Sequence, residues 1–252
     1  VSFATDSIGR VPLGVVPVEE DGSVYCEAPV RKAIYFQLLD ERGMAVHSMR
    51  SATFVHPGEH LSCQGCHENR WAGTPRHQSL PTALMRSPSK IVPEVSSGAI
   101  PFNFIHLVKA PVFDKKCVPC HQNHAEAPDM SYASLARNDL VFSYPGESPA
   151  LETWGVGGSR TTPGRFGARA SGIMKSLATE DYHKDLDMSD DDWRRLTLWL
   201  DLNSNEIGWI GNDRNQIAAQ KAGQAIWPPI DVEPSNPTGV EKDDPNGPIP
   251  GR

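Results

Sequence analysis

Two short stretches of the sequence share one pattern: LSCQGCHENR at residues 61–70 and KKCVPCHQNH at residues 115–124. Each holds two cysteines separated by two residues, with a histidine directly after the second cysteine. Cys-x-x-Cys-His is the attachment signature of haem c. Two thiols on one helical turn can form thioethers with the two vinyl groups at one porphyrin edge, and the histidine then becomes the proximal ligand of the iron. The sequence therefore predicts two covalently attached haem c groups. Their binding residues are Cys63, Cys66 and His67 for the first, and Cys117, Cys120 and His121 for the second.

Three other uses of the four motif cysteines stay open. Together they could bind one zinc ion, although zinc ribbons usually separate the two pairs by roughly 15–20 residues and need no histidine after each pair. They could be redox dithiols, which usually lie at a helix start among alternating strands and helices. Disulfides within each pair would close very small loops and stabilise the fold little. The repeated histidine favours haem.

The second axial ligand of each iron separates an electron carrier from an open, substrate-binding haem. For the second haem the best candidate is His183, which follows the second motif and directly precedes a strong helix; Met188 is its rival. Met130 follows the first motif at a similar interval but lies within the segment of the second. The other candidates for the first haem, among which the sequence does not choose, are His60, His106, His124, Met85 and an open position.

A glycine-rich run, GSRTTPGRFGAR at residues 158–169, carries Arg160, Arg165 and Arg169. Haem propionates are carboxylates, and the guanidinium fork pairs well with a carboxylate. We expect Arg160 and Arg165 in particular to contribute to cofactor binding in this way. The alternative is a solvated loop whose charges are incidental.

The first 55 residues have the pattern of antiparallel strands. Asp21-Gly22 is a hairpin signal between two β-branched runs. Residues 33–40 and 44–49 predict a second hairpin, and residues 51–55 a further strand. We therefore predict an α+β protein in which residues 1–55 form a small antiparallel β-sandwich domain.

Residues 56–226 are predicted to form a mainly α, loop-rich dihaem cytochrome c domain. Helices are expected at 104–121, where a proline starts or interrupts the helix, and at 168–178. The clearest helix spans 189–205, with a serine N-cap, three aspartates in its first turn and an apolar stripe. Residues 227–252 are rich in proline and predict an extended or disordered tail.

The bulk composition limits the classes of partner. The 252 residues carry a formal net charge of −7, which argues against a nucleic-acid partner. No apolar run is long enough to span a membrane, and the common nucleotide-binding and nucleophile motifs are absent. The chain begins at Val1, which suggests a mature or excised piece. Haem attachment of this type indicates a periplasmic or otherwise extracytoplasmic location, and the fifth cysteine, Cys26, is left over.

Four segments, taken in chain order, resemble the C-terminal region of the hydrazine synthase alpha-subunit-like family of multihaem proteins. They are MRSATFVHPGEHLSCQGCHENR, PVFDKKCVPCH, GSRTTPGRFGAR and YHKDLDMS…LTLWLDLNSNEIG. The preceding VPVEEDGSVYCEAPVRKAIYFQLLDERGMAV resembles the middle β domain of that family. The resemblance implies a bis-histidine second haem with His183 as its distal ligand. In the family's enzyme a tyrosine four residues after the first motif histidine ligates iron, and that histidine turns toward zinc. This chain has Trp71 there, so an ordinary His67-ligated haem is expected.

Three functions follow from these observations. The favoured one is electron transfer by two haems, to a redox partner protein or to other domains of the same parent protein. The second is a haem enzyme with an open first haem, either hydrazine synthase-like or another oxidoreductase of small nitrogen compounds. The third is a binding module, in which the β domain recognises a partner and the cytochrome is tethered to it.

Overall fold

The computed structural model describes residues 11–49, 52–65, 79–96, 104–137, 140–141, 164–206, 218–219 and 221–222. These residues form a mixed α+β structure, as predicted. The strands are β1 (Gln37–Leu39) and β2 (Ala45–Ser48). The helices are a 3-10 helix (Thr82–Met85), a π-helix (Ile105–Cys117), α1 (Val118–His121), α2 (Tyr132–Arg137), α3 (Gly167–Ala170), α4 (Gly172–Thr179), a 3-10 turn (Asp181–His183) and α5 (Asp190–Asp201).

The hairpin predicted for residues 33–49 is confirmed. Strands β1 and β2 pair antiparallel, with Leu38 opposite His47 and a register shift at the next residue. The carboxylate of Asp40 accepts main-chain hydrogens from Arg42 and Met44, both at 2.9 Å, which closes the turn. The described strands form this one two-stranded sheet with isolated bridges beside it, so the sandwich stays a prediction.

The turn at Asp21-Gly22 also forms, and the main-chain N–H of Glu19 donates to Ser23 across it at 2.9 Å, but the segments beyond it do not continue as a two-stranded ladder. The main-chain N–H of Gly22 donates to Glu19 at 2.8 Å, and Gly22 has the left-handed φ of +80° that this turn needs. The flanking residues form bridges with a later segment instead, namely Val15 with Val92 and Cys26 with Ser89. Residues 79–96 therefore pair with the segments on both sides of this turn. A local turn signal does not reveal such a long-range pairing.

The predicted helices form, with three differences: one in helix type, one split into two helices, and α5, which ends at Asp201 where residue 205 was predicted. The segment 104–121 is helical throughout and contains Pro111, but it is a wide π-helix before its final α turn. The segment 168–178 is two helices, because Ser171 is extended and caps α4 by accepting from the main-chain N–H of Met174. Helix α5 begins after Ser189, where Ser189 and Asp192 form a capping box, and ends at Asp201.

The core lies between α5 and the π-helix. Its centre is an aromatic cluster in which Trp199 packs 5.0 Å from Phe104 and 6.0 Å from Phe113, measured between ring centroids. All three side chains are essentially inaccessible to water, and the indole N–H of Trp199 donates to the carbonyl of Asn205 at 3.1 Å. Met44 from the hairpin belongs to the same cluster, so sheet and helices share one core.

A buried carboxylate joins the hairpin to the helices. Asp201, at the end of α5, accepts main-chain hydrogens from Ala45 at 2.9 Å and Ala168 at 2.8 Å. Its own carbonyl accepts from the side chain of Gln37 at 3.0 Å. Burial raises the pKa of Asp201 to about 6, against the opposing effect of these hydrogen bonds.

Among the helices of the described ranges, none is long and apolar enough to cross a membrane.

Candidate haem-binding site

The second motif lies where the π-helix passes into α1. Cys117 is the last residue of the π-helix, and Cys120 and His121 are in α1, so the three side chains lie at positions i, i+3 and i+4 around one helical turn. Cys117 packs against the core, and burial raises the pKa of its thiol to about 11. Cys120 is exposed, and both thiols are free. This helix end thus presents two reduced cysteines and a histidine, the set that haem c attachment needs.

The ring of His121 is held by the loop that follows it. Its Nδ1 lies 2.9 Å from the carbonyl oxygen of Pro128. A carbonyl only accepts hydrogen bonds, so Nδ1 carries the hydrogen and Nε2 keeps its lone pair. A metal-binding histidine usually donates its other ring N–H to a carbonyl or carboxylate in this way. The arrangement therefore prepares Nε2 of His121 to bind a metal.

His183 has the same arrangement in a different element. It lies in the 3-10 turn between α4 and α5, where its main-chain N–H donates to Glu180 at 3.0 Å. Its Nδ1 faces Ser176 near the end of α4, 3.3 Å from the carbonyl oxygen and 3.4 Å from the hydroxyl. A hydrogen on Nδ1 would donate to this carbonyl and leave Nε2 of His183 available, as for His121.

The structure brings the two imidazoles together with parallel planes. The ring centroids of His121 and His183 are 6.4 Å apart, and the planes differ by 8°. Two imidazoles that bind one metal from opposite sides, through bonds of about 2 Å, have ring centroids about 6.4 Å apart. The separation of the two centroids and their parallel planes match that arrangement.

The core explains why these distant residues meet. Met188, the rival ligand, packs against the same hydrophobic cluster as Cys117 and Val118, and this contact holds the turn containing His183 beside the end of α1. Lys116 adds a weak surface ion pair, 3.5 Å from Asp187. Met188 is partly buried and thus contributes to the packing of this cluster.

The first motif lies largely outside the described residues. Cys63 is exposed, whereas Cys66 and His67, together with Trp71, fall outside the described ranges. Of the candidate distal ligands, His60, His106 and His124 are exposed and Met85 is 75% exposed. Met130 is buried in the core, where it is not available to a haem. The sixth ligand of the first haem stays open among the exposed candidates.

The arginines of the glycine-rich run have different surroundings. Arg165 is exposed in the turn before α3, and Arg160 lies outside the described residues, so their pairing with propionates stays a prediction. Arg169 forms an ion pair with Asp40 and thereby links α3 to the hairpin.

The zinc alternative needs several ligand side chains close together. No group of three or more histidine, cysteine, aspartate or glutamate side chains is gathered in the part of the chain that the structure describes.

Sequence reasoning missed three residues that surround the paired imidazoles. Pro128 and Ser176 act through main-chain carbonyls, which carry no side-chain signal. Tyr182 packs its ring edge-on against His183, with centroids 4.6 Å apart and planes at 68°. Its position next to a candidate ligand was the only available hint.

Comparison with known proteins supports one part of the resemblance. Residues 2–68 match the family model of the hydrazine synthase alpha subunit middle domain. The match includes the hairpin and the first motif and ends before the second motif. This segment of the chain is therefore similar to that domain, and the resemblance of the C-terminal region stays a prediction. No curated protein and no solved structure matches the chain.

Proposed function

We propose that this chain is a dihaem c-type cytochrome region that transfers electrons in an extracytoplasmic redox system, as part of a larger multidomain oxidoreductase. The observation that carries the proposal is the pair of parallel imidazoles, 6.4 Å apart, beside two reduced cysteines on one helical turn. When bound, haem c supplies reversible one-electron chemistry at its iron.

The roles of the protein residues follow from the site. Cys117 and Cys120 would tether the haem to the helix end, and His121 and His183 would supply the two nitrogen ligands of its iron. The hydrogen bond from Nδ1 of His121 to the carbonyl of Pro128 holds that ligand in place, and Nδ1 of His183 faces the carbonyl of Ser176 at the longer distance of 3.3 Å. A haem iron with two side-chain ligands favours electron transfer over substrate chemistry.

The electron-transfer proposal extends to two haems and to a protein partner. Cys63, Cys66 and His67 would hold the first haem, and Arg160 and Arg165 would pair with propionates. The electrons would pass to a redox partner protein or to other domains of the same parent protein. The net charge of −7 is compatible with a protein partner and unfavourable for nucleic acid.

A second function is favoured by the family match. Residues 2–68 are similar to a domain that belongs to a hydrazine synthase subunit. A haem enzyme with an open first haem, hydrazine synthase-like or acting on another small nitrogen compound, is therefore the alternative. In that case the first haem would react with substrate and the second would deliver electrons to it.

The test uses the full chain, produced in a host that attaches haem c and purified from its periplasm. A pyridine haemochrome assay counts the haems per chain, and a CO-difference spectrum of the dithionite-reduced protein reports open irons. Two haems without CO binding are expected for electron transfer. CO binding at one haem of the unsubstituted protein, in which His183 is intact, would favour the enzyme. No attached haem would refute both functions.

A further inference from the structure

A histidine that binds iron through one ring nitrogen can still differ in the direction of its ring plane. The terminal torsion of a histidine side chain is broad and roughly two-fold, so contacts around the ring must select its plane. For His121 the 2.9 Å hydrogen bond from Nδ1 to Pro128 makes that selection. The corresponding distances from His183 to Ser176, 3.3 and 3.4 Å, lie beyond the range of strong N–H···O bonds. They leave the plane of His183 less constrained.

Tyr182 supplies the missing constraint on His183. Its ring meets the imidazole edge-on at 68°, with centroids 4.6 Å apart, which is a favoured arrangement for two aromatic rings. Such pairs contribute about 0.5–1.5 kcal/mol beyond the area they bury. Tyr182 is 76% exposed, so packing elsewhere in the core does not explain its position.

We propose that Tyr182 is a positioning residue that sets the plane of the His183 ring parallel to the ring of His121. The inference rests on the proposed function, because it concerns the second haem. Parallel axial imidazoles act on the same d orbital of ferric iron and split the π-type pair, which gives a rhombic low-spin EPR signal. Perpendicular imidazoles leave that pair nearly degenerate, and the low-field resonance moves to lower field. The orientation can therefore be measured without any assay of activity.

The experiment is low-temperature EPR of the oxidised, full-length protein with both haems attached. The signal of the second haem is the low-spin signal that His183→Ala abolishes. In the unsubstituted protein this signal is expected to be rhombic. Tyr182→Ala is expected to move its low-field resonance to lower field. Tyr182→Phe keeps the ring and loses only the hydroxyl, and it is expected to retain the rhombic signal.

Lys184→Ala is the matched control on the other side of His183, since Lys184 is exposed in the same turn. It is expected to leave the signal unchanged. Three results would overturn the inference while leaving the proposed function standing: an unshifted resonance in Tyr182→Ala, an equal shift in Tyr182→Phe, or an equal shift in Lys184→Ala. The absence of any low-spin signal that depends on His183 would overturn the inference and the bis-histidine site together.

Discussion

Replacement of Gly167 by alanine should disrupt the contact between the hairpin and the helices. Gly167 starts α3 with a φ of +59°, a left-handed conformation. A Cβ atom there would lie 2.0 Å from Oδ1 of Asp201 and 3.2 Å from its Cα. The carboxylate would have to move, although it accepts the main-chain hydrogens of Ala45 and Ala168. The substitution therefore affects a buried hydrogen-bonded group as well as the local backbone.

The expected loss has two parts. A non-glycine residue in the left-handed region costs about 1–2 kcal/mol. A hydrogen bond to a charged group contributes about 1.5–3 kcal/mol, and the displaced carboxylate cannot keep both of its bonds. We expect Gly167→Ala to lower the free energy of unfolding by about 3–5 kcal/mol, a large fraction of the 5–15 kcal/mol that typical domains have.

The assay is urea unfolding of the full-length protein, followed by far-ultraviolet circular dichroism. Gly22→Ala is the matched control, because Gly22 has a φ of +80° and no described atom lies within 4 Å of its added Cβ. It should lose only the backbone part, about 1–2 kcal/mol. Equal losses in the two variants would refute the argument that Asp201 leaves no room at Gly167.

Three further predictions concern other parts of the molecule. His183→Ala should open the second iron and give one CO-binding haem, whereas Lys184→Ala, at an exposed residue that is no ligand candidate, should not; identical CO-difference spectra would contradict the ligand assignment. Asp201 has a folded pKa of about 6, above its ordinary value of 3.8, so the folded state holds a proton that the unfolded state has lost between these pH values. The free energy of unfolding should therefore fall by about 3 kcal/mol as pH rises through this window. Urea unfolding of Asp201→Asn is the control, because this variant lacks the titrating group. If the variant shows the same fall with pH, another group is responsible. Ser189→Ala removes the capping box of α5 and should cost about 1 kcal/mol in the same assay, and an unchanged midpoint would count against that cap.

Local features of the fold were predictable because the interactions that cause them span few residues. The turn after β1 depends on Asp40 and its near neighbours, and the start of α5 depends on Ser189 and Asp192. The break between α3 and α4 was missed, because Ser171 ends one helix and caps the next within an otherwise continuous helical pattern. The pairing of Val15 with Val92 was missed because it joins segments far apart in the chain.

The sequence by itself predicted which residues would tether a cofactor, since two cysteines and a histidine on one turn need only local helix geometry. It also singled out His183 by its place before a strong helix. Only the tertiary structure decided that the ring of His183 lies parallel to that of His121, at 6.4 Å. It likewise decided that Asp201 joins the hairpin to the helices. Both arrangements depend on side chains brought together by burial of the shared core, and burial selects contacts by shape and area, without regard to their separation along the chain.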